Sequence, residues 1–485
     1  MINSNFKILV TSVVLAVGIL QSASASQLPE NTVKSHEGQF AGETIEFNSV
    51  VESFSLEPLT SAPLEVVSMS YIEQPVESDK PVLFAFNGGP ISPSVYLHML
   101  ALGPWRLAVS DDLNADPSSF PVVPNEYSPL DKADIVFFDP AGTGFSRFGE
   151  NTAPETYFGN SSDAAEFVSF MEAWLKRHGR SEAPVYILGE SYGTMRAAAI
   201  AKQLSEKKSS VQLSGIFLVG QALNLIETAQ RHDNVMTYVV SLPTLAALGW
   251  YHEKLPGKKP DFESLMTQVN DFAYGDYLSV LLKGNQATQS EKQRIAERLA
   301  VLTGLDANSH LNYDLRISKN QFRGELLKSE GLVAGANDGR YLRTPSEKAP
   351  LPDGVSDIYP QVFESFDTVA KNQLGLTVTD NYTVSSPVTS LAEWDWGSKA
   401  GPFANFPYAN GIADAMIYYP NLTVMVGAGH YDTLTTTGAT DYLLRHADWP
   451  QDRVMQRTYF GGHMAYTVEA NLAQFSRDIK DLIAR

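Results

Sequence analysis

The chain has 485 residues, of which 44% are hydrophobic and 19% are charged, so it can form a substantial core and has no compositional signature of disorder. Its formal net charge of -19 argues against nucleic acid as a partner, because phosphate binding requires a basic surface. The sequence contains no cysteine, which excludes disulfides, thiolate metal sites and cysteine nucleophiles.

Residues 1–25 have the pattern of an export signal. Lys7 supplies a positive charge, Ile8 to Leu20 form a mainly apolar run, and Ala23-Ser24-Ala25 provides small residues for cleavage. The alternative is a membrane span, but a span needs about 20 apolar residues. We therefore expect cleavage near Ser26 and an exported protein without membrane attachment. The absence of cysteine favours a bacterial periplasm or medium over a eukaryotic secretory pathway.

The pattern of hydrophobic residues after the signal changes from alternating to continuous. Residues 39–75 alternate β-branched and polar residues, which predicts antiparallel strands. Short runs that are apolar throughout follow, and they predict parallel strands covered by helices on both faces. The runs are Val82-Leu83-Phe84-Ala85-Phe86, Ile135-Val136-Phe137-Phe138, Val185-Tyr186-Ile187-Leu188, Ile216-Phe217-Leu218-Val219 and Val424-Met425-Val426.

Helical periodicity lies between and after these strands. The segment from Ser162 to His178 places its apolar residues on one face and is followed by Gly179, which can end a helix. The C-terminal stretch from Leu472 to Ile483 repeats the pattern. Strands that alternate with helices at this spacing predict an α/β fold with a mostly parallel central sheet and helices on both faces.

Residues 226–385 have a different character. They are mostly helical in pattern, are richer in charge, and contain no run typical of a buried parallel strand. We expect a helical cap insertion rather than a separate domain, because no flexible Gly/Ser linker flanks the segment. The core that carries the sheet then consists of two parts, residues 26–225 and residues 386–485.

The segment Gly189-Glu190-Ser191-Tyr192-Gly193 fits the G-x-S-x-G nucleophile elbow, a sharp turn that lifts a serine hydroxyl out of the backbone. Five residues alone are a weak match, and the alternative is a turn with an incidental serine. The context is specific, because a buried strand precedes the turn and a helical segment from Met195 to Leu204 follows it. We predict that Ser191 is the nucleophile of a serine hydrolase with the α/β-hydrolase fold.

An oxyanion hole requires two backbone donors near this serine. The amide of Tyr192 would lie at the start of the helix after the elbow, where helix N–H groups are free. Asn87-Gly88-Gly89-Pro90 follows the strand that ends at Phe86, so it would reach the same edge of the sheet. We expect Gly89 to supply the second donor, and the alternative for this segment is an ordinary tight turn.

In this fold the catalytic residues occur in the order nucleophile, acid, histidine. His463 lies in a glycine-rich loop after a predicted strand from Val454 to Phe460, which makes it the candidate base. Asp432 lies in the loop after the preceding predicted strand, where its carboxylate would orient the imidazole. Asp441 is the alternative acid, but its neighbours predict a helix. His430 precedes the acid and is interpreted as a loop residue.

With these residues placed, the chain resembles the serine carboxypeptidase family. Five separated segments carry the resemblance in family order: Asn87-Gly88-Gly89-Pro90, Asp139 to Ser146, Gly189-Glu190-Ser191-Tyr192-Gly193, the Asp432 loop and Gly461-Gly462-His463-Met464. The family has an α/β-hydrolase fold with a helical insertion and removes the C-terminal residue from peptides. The resemblance therefore implies a peptide substrate.

The resemblance also implies a role for each matched residue. Ser191, Asp432 and His463 become the catalytic triad, Gly89 and Tyr192 the oxyanion donors, and Asn87, Gly88 and Glu190 the site for the terminal carboxylate of the substrate. Glu190 would bind that carboxylate through a shared proton. A carboxylic acid can donate to a carboxylate only while it is protonated, so this mode of binding favours acidic pH.

The chain departs from the family pattern near the carboxylate site. Ile91-Ser92-Pro93-Ser94 follows the NGGP segment where the family usually has glycine and small residues, and Thr194 stands where glycine is common. Ala101 occupies the position of a second glutamate that many members carry. We hypothesise that the chemistry is retained while carboxylate recognition is weaker, or depends less on acid, than in the family.

Three functions remain open from the sequence. The first is an exported carboxypeptidase, the second is an esterase, amidase or acyltransferase with the same triad, and the third is an inactive binding protein. The presence of all three triad residues argues against the third. No metal or organic cofactor is expected, because a triad and an oxyanion hole supply base, nucleophile and charge stabilisation.

Overall fold

The computed structural model describes residues 28–397 and 408–484. The strands within these ranges are β1 (Thr32–Phe40), β2 (Glu43–Leu56), β3 (Leu64–Glu73), β4 (Val82–Phe86), β5 (Trp105–Leu107), β6 (Val122–Pro124), β7 (Asp134–Phe138), β8 (Arg147–Phe148), β9 (Pro184–Glu190), β10 (Gln212–Val219), β11 (Val333–Ala334), β12 (Leu342–Arg343), β13 (Thr423–Gly429) and β14 (Val454–Tyr459). Ten of them form one sheet in the order β1-β2-β3-β7-β4-β9-β10-β13-β14, with β8 paired to β3. Two separate ladders pair β5 with β6 and β11 with β12.

The direction of the strands changes at β7. β1, β2, β3 and β7 are paired antiparallel, as the alternating pattern of residues 39–75 predicted. Within this sheet, every pairing along the path β7-β4-β9-β10-β13-β14 is parallel. The five apolar runs found in the sequence lie in β4, β7, β9, β10 and β13, so the predicted mostly parallel sheet is confirmed.

The α-helices of the described residues follow the chain from the first parallel strand to the C-terminus. They are α1 (Val95–Leu97), α2 (Asn160–Arg177), α3 (Tyr192–Glu206), α4 (Leu225–Thr228), α5 (Met236–Val239), α6 (Leu242–Tyr251), α7 (Phe262–Phe272), α8 (Leu278–Lys283), α9 (Gln289–Thr303), α10 (Ala307–Asn312), α11 (Lys319–Glu325), α12 (Tyr359–Asn372), α13 (Tyr408–Tyr418), α14 (Thr437–His446) and α15 (Glu469–Ile483). Short π-helical turns span His98–Leu102 and Ala273–Tyr277. Short 3-10 turns span Pro117–Ser119, Pro129–Asp131, Pro154–Tyr157, Gly284–Gln286, Lys328–Glu330, Gly354–Ile358, Gln451–Arg453 and Ala465–Thr467.

The parallel strands are buried on both faces, because successive side chains of a strand point to opposite sides of the sheet. In β4, Leu83 and Ala85 join one hydrophobic cluster, which also contains residues of α12 and α15. Val82, Phe84 and Phe86 join a second cluster together with residues of α2, α3 and α13. This arrangement of helices on both faces explains why each strand is apolar throughout.

The helices from α4 to α12 lie between β10 and β13, in the region predicted as an insertion. Residues of α5 to α9 pack around a cluster of their own, apart from the two clusters that cover the sheet. By contrast, Val362 and Phe366 of α12 join the cluster on the sheet. The segment is mostly helical and also carries β11 and β12, while its role as a cap insertion with limits at residues 226 and 385 stays a prediction.

The predicted signal segment, residues 1–25, lies outside the described residues. Within residues 28–397 and 408–484, no helix is both long and apolar enough to cross a membrane.

Candidate active site

Ser191 lies in the turn between β9 and α3. Its backbone has φ 58° and ψ -125°, a conformation that L-residues rarely adopt and that turns the chain sharply from strand to helix. A side chain at Gly189 would overlap the backbone of Gly193, so the turn requires glycine there. The Thr194 hydroxyl donates to the carbonyl oxygen of Ser191 at 2.7 Å and accepts the amide of Ala222 at 3.0 Å. The turn has the geometry that the sequence predicted for an elbow.

The NGGP segment follows β4 and contacts the elbow, because β4 pairs with β9. A methyl group built on Gly88 would lie 2.6 Å from the amide nitrogen of Tyr192 and 2.8 Å from the carbonyl oxygen of Glu190. Tyr192 is the first residue of α3, so its amide belongs to the N–H groups that have no acceptor within the helix. The structure therefore brings the two predicted oxyanion segments together.

The candidate acid and base come from loops after neighbouring strands. Asp432 follows β13 and His463 follows β14, and the His463 Nδ1 atom lies 2.7 Å from Asp432 Oδ2. Asp432 is fully buried and accepts three further hydrogen bonds: from the amides of Leu434 and Thr435 at 2.7 and 3.0 Å, and from the Thr435 hydroxyl at 2.6 Å. These donors hold the carboxylate in the position that orients the imidazole.

His463 and the elbow both lie against the end of β10, which brings them close together. The Ser191 amide donates to the carbonyl oxygen of Val219 at 2.9 Å, and a methyl group on the next residue, Gly220, would lie 2.8 Å from His463 Cε1. The buried His463 Nε2 has no hydrogen-bond partner among the described residues. Since Nδ1 faces Asp432, Nε2 is the nitrogen available for proton transfer.

The charges around His463 favour its protonated form. Burial alone would lower its pKa, but the nearby Asp432 carboxylate raises the pKa above the ordinary 6.5, with smaller contributions from Glu190 and Asp353. A neutral imidazole is needed for base catalysis. The pH dependence of any reaction at this site is therefore set by these carboxylates as well as by the histidine.

Glu190, the residue before the nucleophile, is buried beside Asn87 and Tyr466. The Tyr466 hydroxyl donates to Glu190 Oε2. Burial raises the pKa of Glu190, although the nearby His463 charge and the Tyr466 hydroxyl each lower it. The Asn87 Oδ1 atom accepts the amide of Leu97 at 3.1 Å, while its buried Nδ2 has no hydrogen-bond partner within the described residues. An unpaired donor and a carboxyl group with a raised pKa thus lie side by side.

A buried ion pair that the sequence analysis missed supports the elbow. Arg196 and Asp163 are both completely buried and form hydrogen bonds of 2.7 and 3.0 Å. Arg196 also donates to the carbonyl oxygen of Asn87 at 2.9 Å, and Asp163 accepts the Tyr192 hydroxyl at 2.9 Å. The available signal was an arginine within the apolar face of the helix after the elbow.

A loop from the helical region contacts both catalytic loops. This loop, residues 335–341, connects β11 and β12. The Ala336 carbonyl oxygen accepts the Thr433 amide at 3.2 Å and the Thr433 hydroxyl at 2.8 Å. The Asn337 carbonyl oxygen accepts the His463 amide at 2.6 Å. The β11–β12 loop therefore fixes the backbone beside the candidate acid and at the candidate base.

The alternatives considered in the sequence lie away from this arrangement. Asp441 is in α14 and accepts a hydrogen bond from Gln456 of β14. The His430 ring packs against Phe262 and Phe460, with centroid distances of 4.7 and 5.1 Å. In the part of the chain that the structure describes, no group of three or more His, Asp or Glu side chains could hold a metal ion.

Comparisons with known proteins agree with this geometry. The sequence profile of the family described as serine carboxypeptidase matches residues 69–314, just over half of the chain. That range includes the NGGP segment and the elbow, whereas Asp432 and His463 lie beyond it. The profile therefore does not test the assignment of Asp432 and His463 as acid and base.

Curated relatives match a shorter region. The pheromone-processing carboxypeptidase kex1 of Neosartorya fischeri is 29% identical over 163 residues, 31% of this chain and 23% of the relative. Serine carboxypeptidase-like 5 of Arabidopsis thaliana is 30% identical over 132 residues, 26% of this chain and 28% of the relative. Both alignments span less than a third of the relative's own length.

A solved structure matches nearly the whole fold. The prohormone-processing carboxypeptidase Kex1(delta)p of Saccharomyces cerevisiae superimposes with a TM-score of 0.53, at 14% sequence identity, over 90% of this chain and 91% of that chain. This similarity and the parallel sheet confirm the α/β-hydrolase fold. Together with the profile match, they show that the chain belongs to the serine carboxypeptidase family.

Proposed function

We propose that this protein is a serine carboxypeptidase that releases the C-terminal residue of peptides through Ser191, His463 and Asp432. The observation that carries the proposal is the buried Asp432–His463 pair with a contact of 2.7 Å, next to an elbow serine in a strained backbone conformation. This arrangement is the one that activates a hydroxyl nucleophile.

In the proposed reaction, His463 Nε2 takes the proton of Ser191 while the serine oxygen attacks the carbonyl carbon of the last peptide bond. The amides of Gly89 and Tyr192 donate to the oxyanion that develops. The imidazolium then gives its proton to the leaving amine, and the acyl group stays on the serine. Water attacks this acyl-enzyme with the same histidine as base, which releases the shortened peptide.

Asp432 supports the histidine throughout both steps. Its carboxylate keeps the Nδ1 proton in place and stabilises the imidazolium that forms in each transition state. The three other hydrogen bonds to Asp432 keep it from turning away, since each of its oxygens is engaged.

The terminal carboxylate of the substrate is proposed to bind at Asn87, Gly88 and Glu190. The unpaired Asn87 Nδ2 supplies one donor, and a protonated Glu190 supplies another. Burial raises the pKa of Glu190, which favours the protonated form that this role requires. A neutral ligand end, such as an amide, would lack this pairing.

The location of the protein is also part of the proposal. The N-terminal pattern of residues 1–25 supports export to a periplasm or to the medium, where peptide substrates are available. The net charge of -19 supports a protein that does not bind nucleic acid.

The test is the hydrolysis of blocked dipeptides with free C-termini by the wild-type protein and by Ser191→Ala. Release of the C-terminal residue by wild type only would support the proposal. A fluorophosphonate should label wild type and leave Ser191→Ala unlabelled, which checks the nucleophile independently of the peptide.

An esterase, amidase or acyltransferase with the same triad is the alternative. Ala101 favours it, because this buried residue stands where a second glutamate was expected. Cleavage of simple esters without cleavage of any blocked dipeptide would select this alternative over the carboxypeptidase.

A further inference from the structure

The hydrogen bond between Tyr466 and Glu190 links two distant parts of the chain. Tyr466 is three residues after His463, in the Ala465–Thr467 turn, and Glu190 ends β9. Both side chains are buried, with 2% and 5% of their surface exposed. The phenol hydroxyl donates to Oε2, so the carboxyl group that was predicted to hold the substrate's terminus is itself held by this tyrosine.

The position of the Tyr466 ring is fixed by its surroundings. The turn that carries it packs against the π-helical turn His98–Leu102, which contains Ala101. The ring also stacks on Phe475 of α15 at a centroid distance of 5.8 Å. A tyrosine confined in this way cannot direct its hydroxyl elsewhere without repacking the cluster.

We propose that Tyr466 is the positioning residue that determines recognition of a free C-terminus, because its hydroxyl holds Glu190 beside Asn87 where the substrate carboxylate binds. This inference rests on the proposed function and adds to it a residue that lies outside the five segments that carry the family resemblance. Tyr466 does not contact the reacting atoms; it acts through Glu190.

The hydroxyl has a predictable effect on the protonation of Glu190. A donor stabilises the ionised carboxylate more than the neutral acid, so Tyr466 lowers the pKa of Glu190 while burial raises it. Only the neutral acid can donate to the substrate carboxylate. Tyr466 therefore sets the upper pH at which the enzyme prefers a free C-terminus, in addition to fixing the geometry of the site.

The other groups that face Glu190 must be separated from this effect. They are His463, Asp432, Tyr96 of α1 and Tyr359 of α12. Burial raises the pKa of both tyrosines further above 10, so they stay neutral at working pH. His463 titrates, but its titration changes the hydrolysis of every substrate. A ratio between two substrates that differ only at the C-terminus cancels that contribution.

The experiment measures kcat/KM for a blocked dipeptide acid and for its C-terminal amide across pH, and uses the acid-to-amide ratio. In the wild type this ratio should fall as Glu190 loses its proton. In Tyr466→Phe the midpoint of the fall should rise by about one pH unit, the effect of losing one hydrogen bond to a charged group. The variant should therefore keep its preference for the acid to higher pH, while its acid-to-amide ratio at low pH should fall because Glu190 is no longer held beside Asn87.

Tyr459→Phe is the matched control. Tyr459 of β14 is equally buried, packs on the same Phe475 ring, and donates to the carboxylate of Asp478 at 2.9 Å, away from Glu190. In Tyr459→Phe the pH midpoint of the acid-to-amide ratio should equal that of the wild type. An unchanged or lower midpoint in Tyr466→Phe, or an equal shift in Tyr459→Phe, would overturn the inference.

Binding to Ser191→Ala separates this inference from the proposed function. If wild type cleaves neither substrate, the carboxypeptidase proposal fails, but the affinities of Ser191→Ala for the acid and the amide still report the midpoint. A higher midpoint when Tyr466→Phe is added to Ser191→Ala would support the inference without any turnover. Equal affinities for acid and amide at every pH would refute it.

Discussion

Replacement of Gly88 by alanine tests the oxyanion hole directly. The added methyl group would lie 2.6 Å from the Tyr192 amide nitrogen, about 1 Å less than an ordinary contact between non-bonded heavy atoms. Its other close neighbours are the Glu190 carbonyl oxygen at 2.8 Å and Ser191 Cβ at 3.0 Å. All three atoms belong to the elbow, so no flexible side-chain end can move aside. The elbow must shift, or the methyl group must cover the amide.

Either response removes one oxyanion donor from its position. Loss of one such donor lowers kcat by about 10² to 10³, which corresponds to about 2.7–4 kcal/mol in the transition state. KM should change little, because the amide acts on a charge that is present only in the transition state. Overpacking should also lower the free energy of unfolding by about 1–3 kcal/mol.

The assay is steady-state hydrolysis of a simple ester, together with thermal unfolding followed by circular dichroism. Gly324→Ala is the control, since Gly324 lies within α11 and a methyl group there would meet only the end of the Leu351 side chain, at 3.4 Å. A folded Gly88→Ala protein that loses less than about tenfold in kcat, or 1.4 kcal/mol, would refute the reasoning.

Three further predictions concern groups around the elbow. Asp432→Asn should lower kcat for ester hydrolysis by about 10⁴-fold, because the amide no longer holds the required tautomer of His463; a decrease below about tenfold would contradict the triad. Glu190→Gln removes a group that, when ionised, raises the pKa of His463, so His463 should stay neutral to lower pH. The acidic limb of the ester kcat/KM profile should then move to lower pH, and an unmoved limb would disprove this coupling. Arg196→Met leaves the buried charge of Asp163 without its ion-pair partner and should lower the free energy of unfolding, measured by urea denaturation, by about 3–5 kcal/mol. Lys202→Met is the control, because Lys202 forms an exposed ion pair with Glu206, and it should lower the free energy of unfolding by less than about 1 kcal/mol. An equal decrease in both variants would contradict the role of burial in the Arg196–Asp163 pair.

The sheet was predictable because its signal is local. Each parallel strand buries both faces, so runs such as Val82–Phe86 are apolar at every position and stand out in the sequence. The elbow was predictable for a similar reason, since strand, turn and helix are consecutive in the chain. Asp432 and His463 could be placed because each follows a strand, and the loops after neighbouring parallel strands lie at the same edge of the sheet.

The partners of these residues could not be predicted in the same way. Tyr466 and Glu190 are 276 positions apart, and nothing near either residue indicates the other. Arg196 and Asp163 meet only because α2 and α3 pack on the same face of the sheet. Such contacts depend on how elements pack, and hydrophobic periodicity specifies which face is buried rather than which side chains meet.

The β11–β12 loop limits how the helical region can be exchanged. Residues 335–341 belong by sequence to that region, yet their carbonyl groups hold the backbone of Thr433 and His463. A chimaera that replaces every residue between β10 and β13 would remove these hydrogen bonds from the two loops that carry the candidate acid and the candidate base. A graft that ends before β11 and keeps Val333 to Arg343 would leave these hydrogen bonds in place. The boundary for engineering therefore lies inside the inserted segment, and not at the ends of the sheet strands.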